Sequence, residues 1–174
     1  VHFLGVWDTV KSVMETGERD FKAVLTDETA HAYHALAIDE QRAAFQPSLW
    51  SPSDTASTHS EQVWFPGVHA DIGGGYPERG LANISLRWML KKAVDCGLEI
   101  DAERLADARF QPDPGGKLHD SHSGGWIFLG SEAREITGAD RVHEAAFTRM
   151  NDERVDYAPD NWPDETPKRV AERL

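Results

Sequence analysis

The chain has 174 residues, with 18 Lys and Arg against 30 Asp and Glu, and so a formal net charge of −12. That length fits one domain of roughly 100–200 residues, and 40% hydrophobic with 28% charged residues is ordinary globular usage. The acid excess argues against a nucleic-acid partner, no apolar run approaches the ~18 residues that would span a bilayer, and a single cysteine, Cys96, excludes an internal disulfide or a multi-cysteine zinc site.

The chain opens on Val1-His2-Phe3-Leu4-Gly5-Val6-Trp7-Asp8, already inside an apolar run. Residues 3–7 read as a short buried strand closed by Asp8-Thr9. An interior strand needs neighbours on both sides, so we expect the C-terminal part of a longer protein. Thr26-Asp27 offers a helix N-cap, and Tyr33, Leu36, Ala37 and Ala44 recur at near-helical spacing before Pro47, which predicts a helix through about Phe45. Residues 50–61 read as a loop. Gln62-Val63-Trp64-Phe65-Pro66-Gly67-Val68 is rich in β-branched and aromatic residues and predicts a strand, with Pro66 near its end. A helix follows from about Ala82 to Cys96, with Leu81, Ile84, Trp88 and Met89 on one face and Gly97 as its stop. Shorter stretches read as a helix near 101–107, a strand at 126–130, a helix at 141–150 and an extended aromatic segment at 157–163. There is no internal repeat. Strands alternating with helices predict an α/β fold with a mainly parallel sheet.

Asp8 and His69 each stand directly after a predicted strand, where open α/β sheets collect their catalytic groups. An Asp that orients a His, and a His that takes a nucleophile's proton, are the acid and base of a hydrolase triad. Their order suits a chain order of Ser, Asp, His. Asp71 competes with Asp8 for the acid role, because it lies two residues from His69. The pair His69 and Asp71 could instead serve a metal-dependent hydrolase, with His59, His119 or His122 as a third ligand. His119 and His122 themselves read as solvated loop histidines. Gly73-Gly74-Gly75 lacks the Lys-Ser/Thr or helix context of a phosphate cradle and reads as a sharp turn close to a ligand. Cys96 reads as an inert buried thiol. No Ser has Gly at both i−2 and i+2, so the G-x-S-x-G elbow is missing. Alone, the chain is expected to be inactive, and no cofactor or resident metal is expected.

The motifs Phe3-Leu4-Gly5-Val6-Trp7-Asp8-Thr9-Val10, His34-Ala35-Leu36-Ala37-Ile38-Asp39-Glu40, Phe45-Gln46-Pro47-Ser48-Leu49-Trp50 and Gln62 through Tyr76, followed by Leu86-Arg87-Trp88-Met89, stand in one order. Together they resemble the α/β-hydrolase family whose best-known members are type VI secretion phospholipase effectors, the Tle1-like catalytic domain. The resemblance covers residues 3–89, with a looser echo in the tail. It implies that residues 1–174 are the C-terminal part of one α/β-hydrolase-like domain of a serine esterase or lipase. Its Ser would lie upstream, in a Gly-Phe-Ser-Arg-Gly-like elbow. Carried over by position, Asp8 matches the family's acid and His69 its base. The expected partner is a lipid or ester substrate, with membrane-surface contact in the intact protein, and the oligomeric state is open. The expected location is cytoplasmic, or delivered by a type VI route, since no signal peptide is visible. A non-catalytic interaction domain of the same fold is the competing reading.

Overall fold

In the computed structural model the described residues are 1–10, 28–51, 57–123 and 130–171. Five strands form one all-parallel sheet in the order β1 (Phe3–Trp7), β2 (His31–Ala37), β3 (His59–Phe65), β4 (Arg141–His143) and β5 (Lys168–Val170). The helices are α1 (His69–Gly73), α2 (Gly80–Asp95), α3 (Ala102–Leu105) and α4 (Glu144–Met150), with single 3-10 turns at Ala43–Phe45 and Ala108–Phe110. The α/β architecture with flanking helices is the one the sequence predicts.

The largest departure is β2. The sequence predicts a helix across it, whereas His31–Ala37 is a strand paired on both sides, Phe3 against His31 and His31 against His59. All but its first residue are buried, so both faces are covered and the strand shows no apolar–polar alternation. Helical spacing of Tyr33, Leu36 and Ala37 is then a coincidence of a fully buried segment. The predicted helix at 141–150 is likewise divided, its first three residues extending the sheet as β4. The strand expected at 62–68 begins earlier, at His59, and ends before Pro66. The proposed cap Thr26-Asp27 and most of the predicted strand at 126–130 lie outside the described residues.

Alternate residues of the central strands face two cores. Tyr33, Ala35, Ala37, Val63 and Phe65 pack against Ile72, Leu81, Ile84, Trp88 and Met89 of α1 and α2. Leu36, Ile38, Trp64 and Val142 pack on the other face with Ile136 and Ala146. Gly5 lets α2 approach β1: a Cβ there would stand 2.6 Å from Met89 Sδ. Because every pairing is parallel, the C-terminal ends of β1, β2 and β3 lie along one edge of the sheet. Asp8, the Ile38–Glu40 segment and His69 leave the sheet together there.

Candidate active site

Asp8 ends β1 in a left-handed turn, φ +46°, and is fully buried. The turn aims its carboxylate along the sheet edge: Oδ1 accepts the Ala37 N–H at 2.9 Å, and Oδ2 meets His69 Nδ1 at 2.7 Å. Arg134, also fully buried, grips both oxygens, with Nη1 on Oδ1 and Nη2 on Oδ2. Burial alone would raise the Asp8 carboxyl, but the hydrogen bonds from His69 and Arg134 and the guanidinium charge outweigh it and hold it at about 2. The neighbouring His34 accepts the Thr9 N–H through Nε2. Burial pushes its ring down to about 4, so it stands there neutral.

His69 opens α1, and only a third of its side chain is exposed. Its ring stands edge-on to Phe45 at 5.2 Å, and the Arg42 guanidinium covers the Phe45 ring at 3.5 Å. Its backbone N–H donates to Glu40 Oε2 at 3.2 Å. Glu40 also accepts from Arg42 and from the Ser121 hydroxyl. Burial works to raise the Glu40 carboxyl, and these donors bring it down to about 2. His69 is thus held through its Nδ1, its edge-on contact with Phe45 and its backbone. Among the described residues Nε2 has no hydrogen-bond partner.

Asp71, the other candidate acid, does not touch His69. Its Oδ1 meets His119 Nδ1 at 2.6 Å, and Oδ2 accepts the N–H groups of Val68 and His119. His119 is not solvated as the sequence suggests: only 10% of its side chain is exposed, its ring lies flat on Tyr76 at 3.7 Å, and Nε2 reaches Glu78 at 3.4 Å. Gly67, φ +132°, makes room for Asp71, whose Cβ would stand 2.6 Å from a Cβ at position 67. Among the described residues no three His, Cys, Asp or Glu side chains converge on a point that could hold a metal ion. Ser85 and Ser121 are committed to the Ile72 carbonyl and to Glu40, and Ser12 lies outside the described residues.

A cavity of about 480 Å³ opens beside the site, lined among others by Asp39, Glu40, His119, Ser121 and Tyr157; neither Asp8 nor His69 lines it. Within its wall Asp39 accepts from the Gly67 N–H and the Tyr157 hydroxyl, yet burial still pushes its carboxyl up to about 6.

Sequence reasoning passes over Arg134, because Glu132-Ala133-Arg134-Glu135 has the look of a solvated charge run. Nothing in its spacing marks Arg134 as the residue of the run that turns inward. Glu40 carried a signal only as part of the motif His34–Glu40.

Compared with known proteins, residues 1–92 match the family described as T6SS, phospholipase effector Tle1-like, catalytic domain. An uncharacterized protein of Saccharomyces cerevisiae, YEL023C, is 33% identical over 72 residues, covering 38% of this chain and 11% of the relative. The chain therefore spans about a tenth of that relative's length. No solved structure matches. The motifs at the ends of β1 and β3 lie inside the matched half, and the chain belongs to the Tle1-like catalytic domain family of type VI secretion phospholipase effectors.

Proposed function

We propose that this chain supplies the acid and base of a serine hydrolase acting on carboxylic esters, with a phospholipid or other lipid as substrate. The observation that carries the reading is the 2.7 Å contact between His69 Nδ1 and a buried, ionised Asp8, with Nε2 unpartnered among the described residues. A carboxylate on Nδ1 fixes the tautomer with the proton there and leaves the Nε2 lone pair for a nucleophile's hydroxyl proton. When Nε2 takes that proton, the adjacent carboxylate stabilises the imidazolium. His69 then returns the proton to the leaving alkoxide, and the cycle repeats with water to release the acid. Asp71 is a poorer acid for this chemistry, since both its oxygens are occupied by His119 and backbone N–H groups.

The nucleophile is a serine outside these 174 residues. Supporting this, the chain lacks a G-x-S-x-G elbow, and it spans only 11% of its yeast relative. β1 is as apolar as a central strand yet sits at the end of the sheet order, with no strand on its outer side among the described residues. In this reading residues 1–174 are the C-terminal part of one α/β-hydrolase-like domain, and a strand from the missing part completes the sheet beside β1. Family membership favours delivery through a type VI apparatus. No helix among the described residues is long and apolar enough to cross a membrane.

The test is a fluorophosphonate probe applied to the intact protein, with the 174-residue chain as control. Labelling of a serine outside the chain, lost with His69→Ala, is the expected result. A label on a serine within residues 1–174, or none on folded intact protein, sinks the reading.

A further inference from the structure

We propose that Arg134 is a positioning residue of the Asp8–His69 pair, clamping both carboxylate oxygens so that the imidazole meets one fixed and already neutralised acid. The inference rests on the acid–base reading above.

Both side chains are entirely out of solvent, and Arg134 comes from 126 residues further along the chain. Its planar fork matches the two oxygens of Asp8, which a lysine could not do. The same two terminal nitrogens also donate to the Ala37 carbonyl at 2.8 Å and the Phe45 carbonyl at 2.7 Å. The clamp therefore reaches His69 twice. Through Asp8 it fixes the partner of Nδ1, and through the Phe45 backbone it fixes the residue whose ring stands edge-on to the imidazole. A buried ion pair is not needed for stability alone, since apolar side chains of similar volume commonly do as well. What it adds here is orientation and a charge opposite the carboxylate.

The other charged and titratable groups around the pair are few. His34 lies on the β2 side, Glu40 and Arg42 follow β2, and Asp71 with His119 lies along α1. Glu40 and Asp71 each have their own cationic or donor partners, and among the described residues Arg134 is the Lys or Arg side chain in contact with Asp8. Removing it leaves an unneutralised carboxylate against the ring, which favours the protonated, inactive imidazole.

The test uses the intact protein, a water-soluble p-nitrophenyl ester and the variants Arg134→Met and Arg134→Lys. Arg134→Met is expected to lower kcat by about 10²-fold with KM within about threefold, and to move the acid limb of kcat/KM upward by about one pH unit. Arg134→Lys, which keeps the charge but loses the fork, should lower kcat about tenfold with the acid limb nearly in place. Parent-like kcat in both variants overturns the proposal, as does a loss of kcat in folded Arg134→Met with an unmoved acid limb, the pattern of a merely structural residue. Should Arg134→Met fail to fold, Arg134→Lys decides alone: unchanged kcat overturns the clamp. His69→Ala run in parallel separates the two ideas, because full activity there removes the acid–base reading itself, whereas its loss with an inert Arg134 removes only the clamp.

Discussion

Two Asp–His pairs meet on one short helix, and they are built to opposite ends. In both, a buried carboxylate holds a histidine Nδ1, at 2.7 Å for Asp8–His69 and 2.6 Å for Asp71–His119. The first has a guanidinium behind the carboxylate and leaves Nε2 without a hydrogen-bond partner among the described residues; the second has backbone N–H groups behind it and closes Nε2 against Glu78, under the ring of Tyr76. The contact distance does not separate a base from a clasp. In the proposed reading the distal nitrogen does: a histidine whose second nitrogen is already engaged can pin a loop, but it is poorly placed to exchange protons with a substrate.

The sharpest way to break this distinction is to remove each imidazole in the intact protein. His69→Ala should reduce kcat/KM for an ester by several orders of magnitude, about 10⁴-fold or more. His119→Ala should cost less than about tenfold in kcat/KM while lowering the unfolding midpoint. Comparable losses from both would erase the difference between them. One step smaller, Asp8→Asn should cost about 10³–10⁴-fold in kcat by presenting the wrong hydrogen-bond partner to Nδ1, while Asp71→Asn should leave kcat within about tenfold; a reversal would make Asp71 the acid.

Stability gives a third contrast. Arg134→Met strands Asp8 as a buried unpaired charge and should destabilise the fold by about 3–5 kcal/mol, and adding Asp8→Asn to it should recover most of that loss in urea unfolding. No comparable recovery is expected around Asp71, whose partners are mainly backbone. The smallest effects are in the pH dependence. Asp8 and Glu40 lie near 2 in the folded protein, below the ordinary 3.8 and 4.5. Their stabilisation is complete above the ordinary values and is lost as pH falls from there toward 2. Asp39, raised to about 6 by burial, works the other way: the folded state keeps its proton, so stability declines as pH rises from 3.8 to 6. Asp39→Asn should abolish the decline on the neutral side and leave the acid side untouched, as read by thermal unfolding from pH 2 to 8.

How far these features can be read in the sequence depends on whether the chemistry is local. Asp8 and His69 are legible because each stands close behind a strand whose composition announces it, and α2 is legible because its apolar residues recur along one face. β2 is misread because a strand buried on both faces loses its alternation, and its apolar residues then satisfy helical spacing by accident. The inward placement of Arg134 and His119 is hidden for a different reason. Their surroundings are charged or polar loops, and only the folded chain shows which member of each run turns inward. That Asp71 belongs to His119 and not to His69 likewise depends on where α1 begins, which spacing along an extended segment cannot supply.

The distance along the chain between Asp8 and Arg134 bears on when the site comes into being. A contact between residues 126 positions apart, in a sheet whose every pairing is parallel, carries a large loop-closure entropy and belongs to the slow end of folding. The strand ends can meet before the Arg134 segment docks, but until it does Asp8 is a lone anion that the growing core resists burying. His69 therefore gains a fixed Asp8 partner only after the Arg134 segment has docked. Partly folded or prematurely ended chains would hold His69 without a fixed acid. In pulsed hydrogen exchange, the amide of Ala37, bonded to Asp8, should gain protection later than the amides at the centre of β2.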